Sequence, residues 1–386
     1  MKKIVVLFFH LCCITILSAQ TDSTCQLRIS LLTCSPGEEL YTTWGHSALR
    51  VQNTLTHTDL IYNYGTFDFD DPSFYSKFIR GKLLYFVSVD TFENFVYEYR
   101  FFHRGIIEQV LNLSCAEQEK LLMALNENAK EQNKYYKYDF ILDNCTTRLR
   151  DIVFKNANGS VQTENILPKK DVTFRNLIHG YLDKSRQWWS KLGIDILLGA
   201  PLDIKVSNNE AMFLPDYLLK GFDSTHYDGS KLVMQKTEIL QPSLQSDESS
   251  WFSPFLVFTV AFLAIATLSL VNSQNKFLSA FDFFLFFITG ALGMFLLFMW
   301  LGTDHPECKN NFNLAWAFPL HFIVVLFLYR KINWIKYYFL VNAILLILLL
   351  ILWKWLPQEM NPALIPLVCL LLLRSFMRYK ILKNDR

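Results

Sequence analysis

From Phe255 onward the chain is built of apolar segments, at about 255–272, 281–301, 316–330, 336–356 and 361–375, and nothing else in it restricts the fold as much. About 20 apolar residues in a helix span a hydrocarbon core of about 30 Å, and inside that core the helix satisfies its own backbone groups. The third and fifth segments are short or interrupted, by Pro319 and Pro366, and span only with their flanks. Basic residues are unevenly placed around these segments. Lys276, Arg330, Lys331, Lys336, Arg378, Lys380, Lys383 and Arg386 fall on one side, with Arg374 at its boundary; the other side holds mainly Lys309, with Lys354 near one end. The positive-inside rule puts the basic side in the cytoplasm and the body before residue 251 outside.

The start of the chain agrees. Lys2 and Lys3 precede an apolar run from Ile4 to Leu17 and the small residues Ser18-Ala19, the layout of a secretory signal. With 52% hydrophobic residues and a mean hydropathy of +0.19, the chain is too apolar for one soluble domain and too polar for a membrane bundle alone. The expected division is a signal peptide over 1–19, an exported domain over 20–250 and a five-helix membrane domain over 251–386. A net charge of +2 without a basic stripe argues against nucleic acid as a partner.

The exported body reads as α+β. Strands are expected over Gln26–Thr33, His46–Gln52, Asp59–Gly65, Leu83–Val89 and Gly105–Leu113, the second and third forming a hairpin. A short helix is expected over Phe74–Arg80, a second over Thr91–Phe102 capped by Thr91, and a third opened by the capping box Ser114-Cys-Ala-Glu117. Further helices are expected from about Thr146 to Phe154, over Thr173–Leu182 and from Phe213, and a polar linker over 241–250. The adjacent Trp188 and Trp189 suit a membrane interface or a core equally well. In an oxidising compartment Cys25 and Cys34 are the nearest candidate disulfide, with Cys115 a competing partner.

The chemistry centres on Asp143-Asn-Cys-Thr-Thr-Arg-Leu-Arg150. A cysteine at a helix start faces the positive end of the macrodipole and free backbone amides, a setting that lowers a thiol pKa. Taken alone, Cys145 reads first as a buried structural residue. A second stretch, Trp44-Gly-His-Ser-Ala-Leu-Arg-Val51, supplies a base at a strand start, His46. Asn63 on the next strand, or His57 in the intervening turn, is the candidate to orient the imidazole. Asn144 and the amides at the helix start are candidates to stabilise an oxyanion. Arg148 is a candidate phosphate ligand, whereas Arg150 reads as a solvated helix-face residue. Trp44, Tyr62 and Tyr64, which flank these positions, are further candidates for substrate contact. No cofactor is called for. The loop Thr303-Asp-His-Pro-Glu-Cys308 matches no standard zinc spacing and reads as solvated, although Asp304 and His305 face the same side of the membrane as Cys145.

Together, Trp44-Gly-His-Ser-Ala-Leu-Arg-Val, Tyr62-Asn-Tyr-Gly-Thr-Phe and Asp143-Asn-Cys-Thr-Thr-Arg-Leu-Arg resemble the periplasmic domain of the Lnb family of lipoprotein N-acyltransferases from Bacteroides-type bacteria. The apolar segments resemble that family's membrane domain, so the likeness covers nearly the whole mature chain. The order of histidine before cysteine also resembles circularly permuted NlpC/papain-like proteins, including lecithin:retinol acyltransferase relatives. The resemblance implies Cys145 as nucleophile, His46 as base and Asn63 as orienter, in a multi-pass inner-membrane enzyme. It implies an acyl chain moving from a membrane phospholipid, through a Cys145 thioester, to the α-amino group of a diacylglyceryl-cysteine lipoprotein. A membrane-anchored cysteine peptidase or amidase acting on cell-wall peptide shares the same nucleophile and base.

Overall fold

The computed structural model describes residues 25–157, 159–242, 252–272, 275–330 and 332–384. The signal-like segment and nearly all of the polar linker lie outside the described residues.

The body before the linker is a seven-stranded antiparallel sheet with helices on both faces. Its elements are β1 (Leu27–Cys34), β2 (His46–Asn53), β3 (Thr58–Thr66), α1 (Phe74–Ile79), β4 (Leu84–Thr91), α2 (Phe92–Phe101), β5 (Ile106–Leu111), α3 (Cys115–Ala129), β6 (Tyr135–Lys137) and α4 (Cys145–Asn156). There follow β7 (Val161–Thr163), α5 (Phe174–Lys184), α6 (Trp188–Leu197), α7 (Asn208–Ala211), α8 (Pro215–Asp223), β8 (Thr225–Tyr227), β9 (Ser230–Lys231) and β10 (Val233–Leu240). The strand order is β10-β5-β1-β2-β3-β4-β6, while β7, β8 and β9 form a small separate sheet. The expected hairpin is present, with Leu49 opposite Tyr62 and Asn53 opposite Thr58. Local capping signals were read correctly: Thr91 caps α2, and Ser114 with Glu117 closes a capping box on α3.

Strand alternation divides the core. Leu49 and Val51 of β2 face α4, packing with Leu149 and Val153, while Ala48 faces α2 with Phe95 and Tyr99. Because β1 is covered on both faces, even its Ser30 and Thr33 are buried.

Several expectations are corrected. β1 separates Cys25 from Cys34 by a full extended strand, about 3.3 Å per residue, too far for a disulfide. The Cys25 thiol lies against Cys115 instead, at the opposite end of the strand from Cys34. Arg150 is buried, not solvated, because its Nη1 donates to the Asn209 carbonyl at 2.6 Å and its Nε to Asp151. Trp189 is half-exposed: its Nε1 donates to the Phe252 carbonyl, and its ring meets Phe258.

The C-terminal part consists of α9 (Pro254–Val271), α10 (Lys276–Leu301), α11 (Leu320–Val324), α12 (Asn333–Leu352) and α13 (Leu364–Asn384). Among the described residues α9, α10 and α12 are long and apolar enough to cross a membrane. A fourth span is available if the broken pair 306–315 and 320–327, bent by 51°, counts as one. Among the described residues this accounts for three or four of the five expected spans. The third segment breaks around Pro319, and α13 carries Arg374, Arg378, Lys380 and Lys383. Arg374 is fully buried, in a two-pronged pair with Asp282 of α10 at 2.6 and 2.8 Å and donating to Ser269 of α9 at 2.7 Å. One guanidinium thus ties three helices.

The loop after α10 is not simply solvated; it grips the sheet body. Lys137 pairs with Asp304, Asp304 N donates to the Arg80 carbonyl, and His305 Nε2 donates to the Phe78 carbonyl. The second clamp is α6. Its buried Asp195 accepts from Arg175, His179 and, from the loop between α12 and α13, Asn361.

Candidate active site

The site forms where the β2–β3 ladder ends. Pairing begins at Leu49 opposite Tyr62, so His46–Ala48 and Asn63–Thr66 have no ladder partners in each other. On its other edge β3 shifts register against β4 between Asn63 and Thr66. Cys145, the first residue of α4, sits in this gap. A Cβ placed on Gly65 would lie 3.5 Å from Cys145 Cβ, and the glycine holds φ +89°, so both space and backbone favour glycine there.

Asn144 explains why α4 starts at this point. Its Oδ1 accepts from Thr147 N at 2.9 Å, and Thr147 Oγ1 returns the bond to Asn144 N at 2.8 Å, completing a capping box. Its Nδ2 donates to the carbonyls of Phe140 and Phe213. Both amide hydrogens are committed, so the Asn144 side chain positions the helix and is not free to meet an oxyanion.

The amides that face the sulfur are those of Ser47, Thr146 and Cys145 itself. Their pull on the thiol pKa is downward, as expected for a helix start. Burial outweighs it and pushes the Cys145 thiol up to about 11, because a thiolate loses more solvation there than three amides return. The expected low-pKa thiol is therefore corrected: the resting group is a thiol.

His46 opens β2, and its Nε2 donates to Asn63 Oδ1 at 2.5 Å. That bond leaves Nδ1 as the unprotonated, basic nitrogen. Burial pushes the imidazole down to about 4; the Asn63 bond opposes the shift and the Arg104 cation adds to it. His57 lies in the tight turn before β3 with φ 52°, away from this pair. The structure thus brings together His46 and Asn63, and sets Cys145 against the amide next to His46. Among the described residues no hydrogen bond joins the sulfur to the imidazole. Such contacts are commonly long in empty sites and tighten on substrate.

The expected substrate-side residues separate. Tyr62 and Tyr64 are buried core residues held by α3: Tyr62 Oη donates to Asn126 at 2.5 Å and Asn128 donates to Tyr64 Oη at 2.8 Å. Arg148 spends Nε and Nη2 on Asp143, at 2.5 and 2.8 Å, and lies over the Tyr136 ring. Trp44 packs edge-on against Phe140, and its Nε1 is buried without a partner among the described residues.

Sequence reasoning missed Arg104 and Glu307. Arg104 lies beside His46 and Cys34, donates Nε to the Ser35 carbonyl, and has a buried Nη2 with no partner among the described residues. No local pattern marks it, since the turn between α2 and β5 brings it there from far along the chain. Glu307, from the loop after α10, shares a hydrogen bond with Asp139 just ahead of the cysteine. Among the described residues no group of three or more metal-binding side chains occurs.

Residues 18–180 match the family model of the Lnb N-terminal periplasmic domain, and residues 246–385 match that of the Lnb transmembrane domain. No curated protein and no solved structure matches the chain.

Proposed function

Matched by both of its domain families, the chain belongs to the Lnb family, and we propose on that premise that it is a lipoprotein N-acyltransferase of the inner membrane. The observation that carries the chemistry is the convergence in the sheet gap. Cys145 Sγ lies under the amides of Ser47, Thr146 and Cys145, the first of which follows directly on a histidine oriented by Asn63.

In the first half-reaction Cys145 Sγ attacks the ester carbonyl of a phospholipid while its proton passes to His46 Nδ1. The tetrahedral oxyanion takes hydrogen bonds from the amides at the gap, a contribution of about 3–4 kcal/mol per donor in enzymes where one was removed. Collapse breaks the C–O bond, and the lysophospholipid alkoxide leaves with the proton from His46. In the second half the neutral α-amine of a diacylglyceryl-cysteine attacks the thioester carbonyl. His46 accepts a proton from the amine and returns it to the departing sulfur, releasing the triacylated lipoprotein. No cofactor takes part.

The order of His46 before Cys145 supports a permuted papain-like ancestry for the domain. A phospholipid donor is favoured over a cell-wall peptide by the membrane domain, which holds enzyme and both lipid-anchored substrates in one layer. Mass spectrometry of lipoprotein N-termini tests the assignment in a host lacking its own N-acyltransferase. Triacylated termini are expected with the native chain and diacylated termini with Cys145→Ser. Unchanged diacyl termini accompanied by altered cell-wall fragments would establish the peptidase or amidase instead.

A further inference from the structure

The loop beyond α10 fixes how deep one part of the catalytic body sits. Asp304, three residues past the end of this span, donates its backbone N–H to the Arg80 carbonyl at 2.9 Å. His305 reaches the Phe78 carbonyl at 2.9 Å. Gly81 makes the approach possible: it holds φ +67°, and a Cβ there would lie 3.1 Å from the Asp304 carbonyl carbon. The short helix α1 is thus held at the level where the span leaves the hydrocarbon.

What α1 presents at that level is apolar and basic. Tyr75 is 76% exposed, Phe78 50% and Ile79 42%, with Arg80 and Lys82 exposed beside them. Aromatic rings with flanking cations are the composition that partitions into a headgroup layer. From α1 a row of rings leads inward. Phe78 stacks on Phe74 at 6.1 Å, Phe74 meets Phe67 at 5.7 Å, Phe67 meets Tyr85 at 5.3 Å, and Tyr85 stacks on Tyr138 at 4.2 Å. Tyr138 Cε2 lies 3.8 Å from the Cβ position of Gly65, the same point that Cys145 Cβ approaches to 3.5 Å.

We propose that α1 lies in the headgroup layer of the periplasmic leaflet and that the ring row from Phe78 to Tyr138 guides the donor's acyl ester from the bilayer to Cys145. The partner is a phospholipid bilayer. The proposal rests on the acyl-transfer reading for its second half only, since the placement of α1 stands on its own contacts. A path of this kind lets the chain leave the bilayer along apolar surface, so that the thioester forms without exposing the chain to water.

The test uses the full chain in vesicles of phosphatidylethanolamine and phosphatidylglycerol, a fraction of which carries a diazirine in the acyl chain. After illumination, peptide mapping is expected to find adducts within 67–85 and on Tyr138; adducts confined to α9–α13 would overturn the proposal. In parallel, Tyr75→Asp/Ile79→Asp is expected to slow acylation of Cys145 from vesicle phospholipid at least ten-fold. Acylation by a water-soluble short-chain thioester is expected to keep its rate, which also reports that the variant is folded. Equal rates from vesicles for variant and native chain would overturn the placement of α1. Failure of either donor to acylate the native Cys145 would overturn the acyl-transfer reading and the guided path, while adducts at 74–82 would still uphold the membrane contact.

Discussion

His46 Nε2 and Asn63 Oδ1 lie 2.5 Å apart on neighbouring strands, joined across a stretch where those strands no longer pair. The bond selects the tautomer that leaves Nδ1 basic, and it does so through a neutral amide, with the Arg104 cation nearby disfavouring the protonated ring. An amide orienter holds the imidazole but does not stabilise its protonated form as a carboxylate would. His46→Ala is therefore expected to lower the acylation rate of Cys145 by about 10²–10⁴-fold, the range for a lost general base. Asn63→Ala, which frees the ring to turn, is expected to cost about 100-fold, the scale of a small misplacement of reacting groups. Intact-protein mass spectrometry of the acyl-enzyme against time measures both. A variant at Asn63 with native rates would remove it from the site.

The protonation states of the resting site follow from burial. With Cys145 held at about 11 and His46 at about 4, thiol and imidazole are both neutral at pH 7. A raised thiol pKa means that the reactive thiolate appears only as pH climbs toward 11. Alkylation of Cys145 by iodoacetamide, followed by peptide mapping, is expected to be slow at pH 7 and still accelerating at pH 9.5. A plateau reached below pH 8 would show a resting thiolate–imidazolium pair.

What the sequence disclosed and what it withheld follow a physical division. Signals written within a few residues were readable: the hairpin of β2 and β3, the Ser114 capping box and the cysteine at the start of α4. Effects that depend on distant chain were not. Cys145 is buried by strands from elsewhere in the body, so the helix-start argument gave the correct direction for one contribution and the wrong net pKa. The pairing of β10 with β5 closes over a long separation and carries no local mark. The membrane domain shows the same limit, because a buried Arg374 is legible as a helix residue only once Asp282 is seen opposite it. Arg150 reads in the sequence as a solvated residue, and only its distant partner, the Asn209 carbonyl, accounts for its burial.

Asn144 carries more structural weight than its neighbours. Replacing it with Ala removes a helix cap, a loss of about 1–2 kcal/mol. It also strips the donor from the Phe140 and Phe213 carbonyls, at about 1–3 kcal/mol for each acceptor left buried and unpaired. Asn144→Ala is expected to lower thermal stability and to abolish acylation of Cys145 by displacing the start of α4. Asn144→Asp retains the cap but not the two donors, and is expected to fall between. Native stability in Asn144→Ala, followed by fluorescence-detected melting, would contradict this account.

The clamp at α6 makes a similar case for Asp195. Its carboxylate is 1% exposed and accepts from Arg175, itself fully buried, from His179, and from Asn361 of the membrane part. Truncation to Ala leaves a buried guanidinium with only part of its compensation, Asp203, and removes a link between the two parts. A loss of about 3–5 kcal/mol is expected, as for other buried pairs broken on one side. Thermal melting in detergent, with limited proteolysis between α8 and α9, measures the stability and the loosened junction. Asp195→Asn keeps the shape and acceptor oxygen and is expected to lose less.

Glu307 gives the contact between the loop after α10 and the loop before α4 a pH dependence. Burial, reinforced by the charge and hydrogen bond of Asp139, pushes its carboxyl up to about 8 from an ordinary value of 4.5. The folded protein therefore holds a proton on this pair that the unfolded chain releases. Between pH 4.5 and 8 the folded state binds more protons than the unfolded state, so stability falls as pH rises across that window and levels off above it. Melting temperature is expected to decline from pH 5 to pH 8 in the native chain. Glu307→Gln removes the titrating group while keeping a partner for Asp139, and is expected to flatten this decline and raise the melting temperature most at pH 8. An unchanged slope in the variant would show that Glu307 is already ionised in the folded protein and that Asp139 tolerates the second charge beside it.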